Sequence, residues 1–151
     1  LGVIESAAGK LVAVEYDTIR NAADLPHSTC LKNVYERTAS LIGRTYPDAA
    51  ALEGGFFFKN AKTAMILGQV RGVVIAVCAS AGVPVFEYSP RAVKQGLTGF
   101  GGASKDHVAR IVMSILGLKG SLQEDAGDAL AVAICHSQRH GGIAVLQNKP
   151  I

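Results

Sequence analysis

A hairpin of strands, then alternating helix and strand, then helices: this order of elements predicts an α/β fold with a mixed sheet covered by helices. Two observations bound that reading. The 151 residues, 49% of them apolar, suffice for one sizeable core, and a mean hydropathy of +0.28 excludes disorder as the main state. Only 18% of the residues are charged while 17 are glycine, which points to a compact chain with sharp turns or close backbone approaches. There is neither an internal repeat nor a linker long enough to separate two domains.

The hairpin comes from Leu1 to Glu5 and Leu11 to Tyr16, with alternating Val12, Val14 and Tyr16 after a turn around Gly9. From Ser28 or Thr29, each able to cap, Leu31, Val34, Leu41 and Ile42 recur at helical spacing until Pro47. Ala49 to Glu53, short and apolar after a Tyr-Pro-Asp turn, reads as a buried strand ending in a carboxylate. A second helix is expected from Asn60 to about Ala81, stopped by Gly82 and Pro84. Its apolar residues surround it, so more than one face should be covered. Val85 to Ser89 is a strand, and Ser89-Pro90 opens a short helix. Thr98 to Ala103, with three glycines and no periodicity, is expected to be a flexible loop. Ser104 caps a helix whose Val108, Ile111, Val112, Ile115 and Leu116 share one face before Gly117. The last helix runs from near Glu124 to His136, and Gly141-Gly142 releases a tail.

Charge is divided along the chain. Residues 54 to 119 carry eight bases against Glu87 and Asp106, a net +6, whereas both flanks are slightly acidic. Such a segment is the electrostatic footprint expected for a polyanion, although scattered lysines on solvated helix faces give the same count. Cys30, Cys78 and Cys135 form no C-x-x-C, so neither a disulfide framework nor a cysteine zinc site is expected, and a reducing compartment fits. The longest unbroken apolar stretch, Val73 to Ala79, is too short to span a membrane, and no signal pattern opens the chain. A soluble intracellular protein is expected.

Three acids stand out. Glu53 ends an apolar run, and Asp125 and Asp128 are three apart at the opening of an alanine-rich helix, hence on one face. Like charges at that spacing repel unless a cation or a proton lies between them. The macrodipole favours acids in a first helical turn, and a strand-end Glu can simply meet water, so each has an ordinary structural reading. Together they can converge on an oxygen-rich pocket suited to Mg²⁺. His27, His107, His136 and His140 have no ligand spacing.

Leu52-Glu53-Gly54-Gly55-Phe56-Phe57-Phe58-Lys59-Asn60, Leu67-Gly68-Gln69-Val70-Arg71-Gly72, Pro84 to Tyr88 with Val93-Lys94-Gln95, and Glu124-Asp125-Ala126-Gly127-Asp128-Ala129-Leu130-Ala131 follow in order. Together they resemble the RuvC family of bacterial Holliday-junction resolvases, from Leu1 to about His136. The resemblance implies an RNase H-like fold with a mixed five-stranded sheet flanked by helices. Residues 1–140 would form the nuclease domain and 141–151 a tail. It implies a homodimer that cuts opposing strands of four-way junction DNA in recombination and repair. Two Mg²⁺ ions per active site would serve the hydrolysis, a branch-migration motor complex would be the partner, and no membrane would be involved. A bacterial cytoplasmic location follows.

Position by position, Glu53, Asp125 and Asp128 match the family's second, third and fourth metal-binding acids. Lys105 and Lys94 match lysines close to the scissile phosphate and DNA backbone, and Phe56 matches an aromatic that stacks on bases. Lys59 and Arg91 are further candidates for DNA contact. In the family a first acid, in a Gly-x-Asp-Pro-Gly motif, ends a central strand that would precede Leu1. The 151 residues alone are therefore expected to lack one ligand and one strand, and to cut poorly or not at all. A junction binder that does not cut, another RNase H-like nuclease and an α/β metabolic enzyme or phosphatase are the competing readings.

Overall fold

The computed structural model describes residues 1–7, 9–54, 60–140 and 149–151. The expected contacts of Phe56 and Lys59, and most of the 141–151 tail, lie outside the described residues. The elements are β1 (Gly2–Ala7), β2 (Lys10–Tyr16), α1 (His27–Thr45), β3 (Ala50–Glu53), α2 (Ala61–Ser80), β4 (Val85–Tyr88), α3 (Pro90–Thr98), α4 (Lys105–Leu116) and α5 (Glu124–His140). They fall into two compact units. One comprises Leu1–Thr18, Ala51–Gly55 and Phe86–Ile151, the other Ile19–Ala50 and Phe56–Val85.

In the first unit β1 and β2 pair antiparallel, Gly2 opposite Tyr16 and Ala7 opposite Lys10, with a register shift between Val3 and Ile4. Gly9, at φ 77°, takes the left-handed turn position. α5 is the axis of this unit and packs against β1, β2, α3 and α4. Its Leu130, Ile134 and Cys135 are fully buried, as is Val112 of α4. β1 approaches α5 so closely at Gly2 that a Cβ there would sit 3.0 Å from Leu130 Cδ2.

β3 and β4 pair with each other: Ala50 N–H donates to Pro84 O and Gly54 N–H to Tyr88 O, each at 2.9 Å. Both bonds advance in the same chain direction, so this pair is parallel. One antiparallel and one parallel pair make the described strands mixed, as expected. The described strands form two two-stranded ladders, β1–β2 and β3–β4, the separation expected where the family's first, central strand is missing. No described ladder joins β1 to β3.

Local signals set most helix ends. Asn60 accepts from the Lys62 and Thr63 N–H groups at the start of α2, Ser89 from Ala92 N–H in α3, and Ser104 from His107 N–H in α4. Gly99 and Gly117 end α3 and α4 in the left-handed conformation. α1 departs from expectation. It starts at His27, where no side chain caps it, because the Pro26 carbonyl accepts from both Thr29 and Cys30 N–H. α5 also runs to His140, four residues past the expected end.

In the second unit α1 packs on α2, with Val34, Thr38 and Leu41 buried on one helix and Val77 and Cys78 on the other. A 2.7 Å hydrogen bond between the His27 ring and Gln69 Oε1 ties the helices together. α2 is apolar all round, yet Met65 and Ile66 are exposed. An 18-residue window with mean hydropathy 1.6 makes it long and apolar enough to cross a membrane, by length and composition alone. Counting unbroken apolar runs overlooked this, because Gly68, Gln69, Arg71 and Gly72 interrupt them. A helix that buries its whole circumference against protein has the same composition.

Candidate active site

Glu53 is half-buried at the end of β3, followed by the buried Gly54. Any side chain at position 54 would collide with the Glu87 carboxylate of β4, so glycine is what allows that side chain to lie across the strand end. α5 supplies Glu124 and Asp125 in its first turn and Asp128 one turn on. α3 supplies Lys94 and α4 begins with Lys105. All these residues belong to the first unit.

Lys105 Nζ makes a short salt bridge with Glu124 Oε1 and lies 4.0 Å from Asp128 Oδ2. Its pKa is raised, chiefly by the hydrogen bond to Glu124 and then by the charge of Asp128, while that of Glu124 is lowered by the same bond. Burial raises the Glu53 carboxyl above its ordinary value, and the Asp128 charge raises it further; Lys105 and Lys94 act against both. Asp128 is likewise raised, first by burial, with Lys105 opposing and Glu124 and Asp125 adding repulsion. Its side chain is nevertheless 49% exposed, so water screens these effects in part.

The structure thus brings together Glu53, Asp128, Lys94 and Lys105, four of the residues singled out in the sequence. Asp125 is exposed and acts on Asp128, but is not among the groups that shift Glu53. Arg91 lies in the first turn of α3, its stem against Gly101. Sequence reasoning missed the pairing of Glu124 with Lys105, for which two residues 19 apart on different helices leave no local signal. It also missed Glu87, whose only trace is the glycine after Glu53.

Two carboxylates that repel each other in a half-buried setting favour a cation between them. Their oxygens are hard ligands, and among the described residues no histidine or cysteine cluster competes for a softer metal. Nor do three or more described acids close into a metal-binding group. Glu53 and Asp128 fit an ion that takes one or two carboxylates and fills its shell with water and substrate phosphate, which is how Mg²⁺ binds.

The model of the family described as crossover junction endodeoxyribonuclease RuvC matches residues 1–136. The chain belongs to the RuvC family. The RuvC of Moorella thermoacetica is 44% identical over 137 residues, 90% of this chain and 82% of that protein. That of Myxococcus xanthus is 43% identical over 146 residues, 95% of this chain and 76% of that protein. Among solved structures, Thermus thermophilus RuvC is similar with a TM-score of 0.87 and 31% identity, over 99% of this chain and 91% of that one. A second structure, T. thermophilus RuvC in complex with a Holliday junction substrate, has a TM-score of 0.88 and 28% identity over 99% and 90% of the two chains. RuvC membership carries with it the RNase H-like α/β fold expected from the motifs.

Proposed function

We propose that this protein resolves four-way DNA junctions by Mg²⁺-dependent hydrolysis of phosphodiester bonds. The observation that carries this reading is the electrostatic coupling of Glu53 to Asp128 with Lys94 and Lys105 acting on both. The junction named for the T. thermophilus complex fits the net +6 of residues 54 to 119.

Glu53 and Asp128 would hold the divalent cation, and Asp125, one turn before Asp128, would be available to a second ion. Two such ions would supply Lewis-acid chemistry there, lowering the pKa of a water and stabilising charge on a leaving 3′ oxygen. Lys105 neutralises charge beside the scissile phosphate, exchanging Glu124 for the incoming anion. Lys94 and Arg91 hold the backbone on the α3 side, with Lys59 as a further cation and Phe56 as a stacking aromatic. A second copy of the chain covers the apolar surface of α2, where Met65 and Ile66 are exposed, because two symmetric cuts require a two-fold protein. Cytoplasmic work beside a branch-migration motor completes the reading.

Four-way junction, linear duplex and RNA:DNA hybrid, each compared in Mg²⁺ and in EDTA with the gene's full product, test it. Junction-selective cutting in Mg²⁺ is expected, and Glu53→Gln and Asp128→Asn should each lower it by more than about 100-fold while leaving junction binding in EDTA intact. Cutting selective for the hybrid would assign another RNase H-like nuclease. Binding without cutting would leave a junction-binding protein.

A further inference from the structure

The segment linking α3 to α4 is anchored by hydrogen bonds, although its glycines predicted a flexible loop. Gln95 Nε2 donates to Gly99 O at 2.6 Å, while Gln95 Oε1 accepts from Gly101 N–H at 3.0 Å, so one amide spans the turn. Thr98 Oγ1 accepts from Phe100 N–H at 3.1 Å and lies 3.0 Å from Phe100 O. Gly99 takes φ 76°, and Gly101 sits against the Arg91 stem, where a Cβ would fall 2.8 Å from Arg91 Cγ.

This anchored turn presents one large side chain. Phe100 is 67% exposed, with its ring tip over Gly102: a Cβ on Gly102 would lie 2.7 Å from Phe100 Cζ. Single exposed apolar residues are ordinary on protein surfaces. Here the backbone is fixed on both sides of the ring, and the neighbours are cationic. Phe100 follows Lys94 by six residues and precedes Lys105 by five, and both lysines act on Glu53. Five residues reach at most about 18 Å. That bounds the separation of the Phe100 and Lys105 Cα atoms, so one DNA strand can reach both side chains.

We infer that Phe100 is a DNA-contacting residue that stacks on an unpaired or unstacked base of the junction, beside the strand held by Lys94 and Lys105. The inference rests on the nuclease reading above. The fixed backbone keeps the ordering cost of the contact small, and aromatic stacking accepts any base. Arg91, Lys94 and Lys105 supply the charge complementarity that selects a nucleic acid as the occupant.

The sequence contains no tryptophan, so Phe100→Trp places a single indole at the site. Titrated with four-way junction in EDTA, its fluorescence should be quenched and shielded from acrylamide. Phe100→Ala should bind the junction about 5- to 100-fold more weakly, with Phe100→Leu nearer to Ala than to Trp. Because the ring is exposed, the melting temperature should stay close to wild type, which separates loss of contact from loss of fold. Gln95→Ala, which releases the turn, should weaken binding less than Phe100→Ala. An indole equally open to acrylamide with and without junction, together with wild-type affinity in Phe100→Ala, would overturn the inference while leaving the nuclease reading intact. Absence of junction preference in the wild-type protein would instead remove the nuclease reading.

Discussion

The two ends of α5 carry ionisable clusters built on opposite principles. At the first end, Glu124, Asp125 and Asp128 face water or lie close to it, and repulsion among acids is balanced by Lys105. At the other end, His136 and His140 stack at 4.0 Å, Phe86 lies 4.6 Å from each ring, and Tyr88 Oη lies 2.8 Å from His136 Nδ1 and 3.4 Å from His140 Nδ1. The Arg139 guanidinium stands 5.7 Å from the centre of the Tyr88 ring. One end holds charge that folding alone does not satisfy, which is what a metal and DNA site requires. The other holds the half-buried His136 ring against protonation and fastens the helix to β4. The contrast also explains why α5 continues past His136: its last turn is held by Tyr88 and Phe86.

Opposite pH responses follow, and substituting each end separates them. The largest effect belongs to the acidic end. Glu53→Gln should raise the melting temperature in EDTA even as it removes cutting. A carboxyl whose folded pKa is raised binds protons more readily in the folded state, so its contribution to stability falls as pH rises through the folded value. Melting curves of wild type and Glu53→Gln against pH check this, and the gap between them should close on acidification.

At the histidine end the sign reverses. Burial, and secondly the neighbouring His140, lower the His136 pKa to about 4. The unfolded chain takes up the proton near pH 6.5 and the folded one only near 4, so stability is full above that window and falls through it. The loss is on the order of 3 kcal/mol between pH 6.5 and 4, and it should disappear in His136→Phe. The smallest effect is expected for Tyr88→Phe, which removes the hydroxyl facing both rings. It should cost about 1 kcal/mol, or roughly 2–4 °C in melting temperature, without altering the binding of junction DNA.

What was legible in the sequence was mostly local. Asn60, Ser89 and Ser104 cap the helices they precede, and Gly99 and Gly117 end theirs, because each bond lies within a few residues. Glu53, Asp128 and the two lysines were legible as motifs, yet their proximity depends on β3, α3, α4 and α5 packing into one unit. Composition concealed the anchored turn at Gly99 to Gly101, since a count of glycines carries no sign of Gln95 bridging it. The two separate ladders follow from the missing first strand, because a ladder needs its neighbour, whereas local periodicity alone does not say which strands pair.

In the proposed site Glu53 and Asp128 share a divalent cation. Melting temperature measured across a Mg²⁺ titration tests it without DNA or turnover, because an ion bound only by the folded state must stabilise it. Wild type should rise steadily with Mg²⁺, and the Glu53→Gln, Asp128→Asn double variant should stay level. An equal rise in both proteins would place the ion elsewhere and rule out a shared site at this pair.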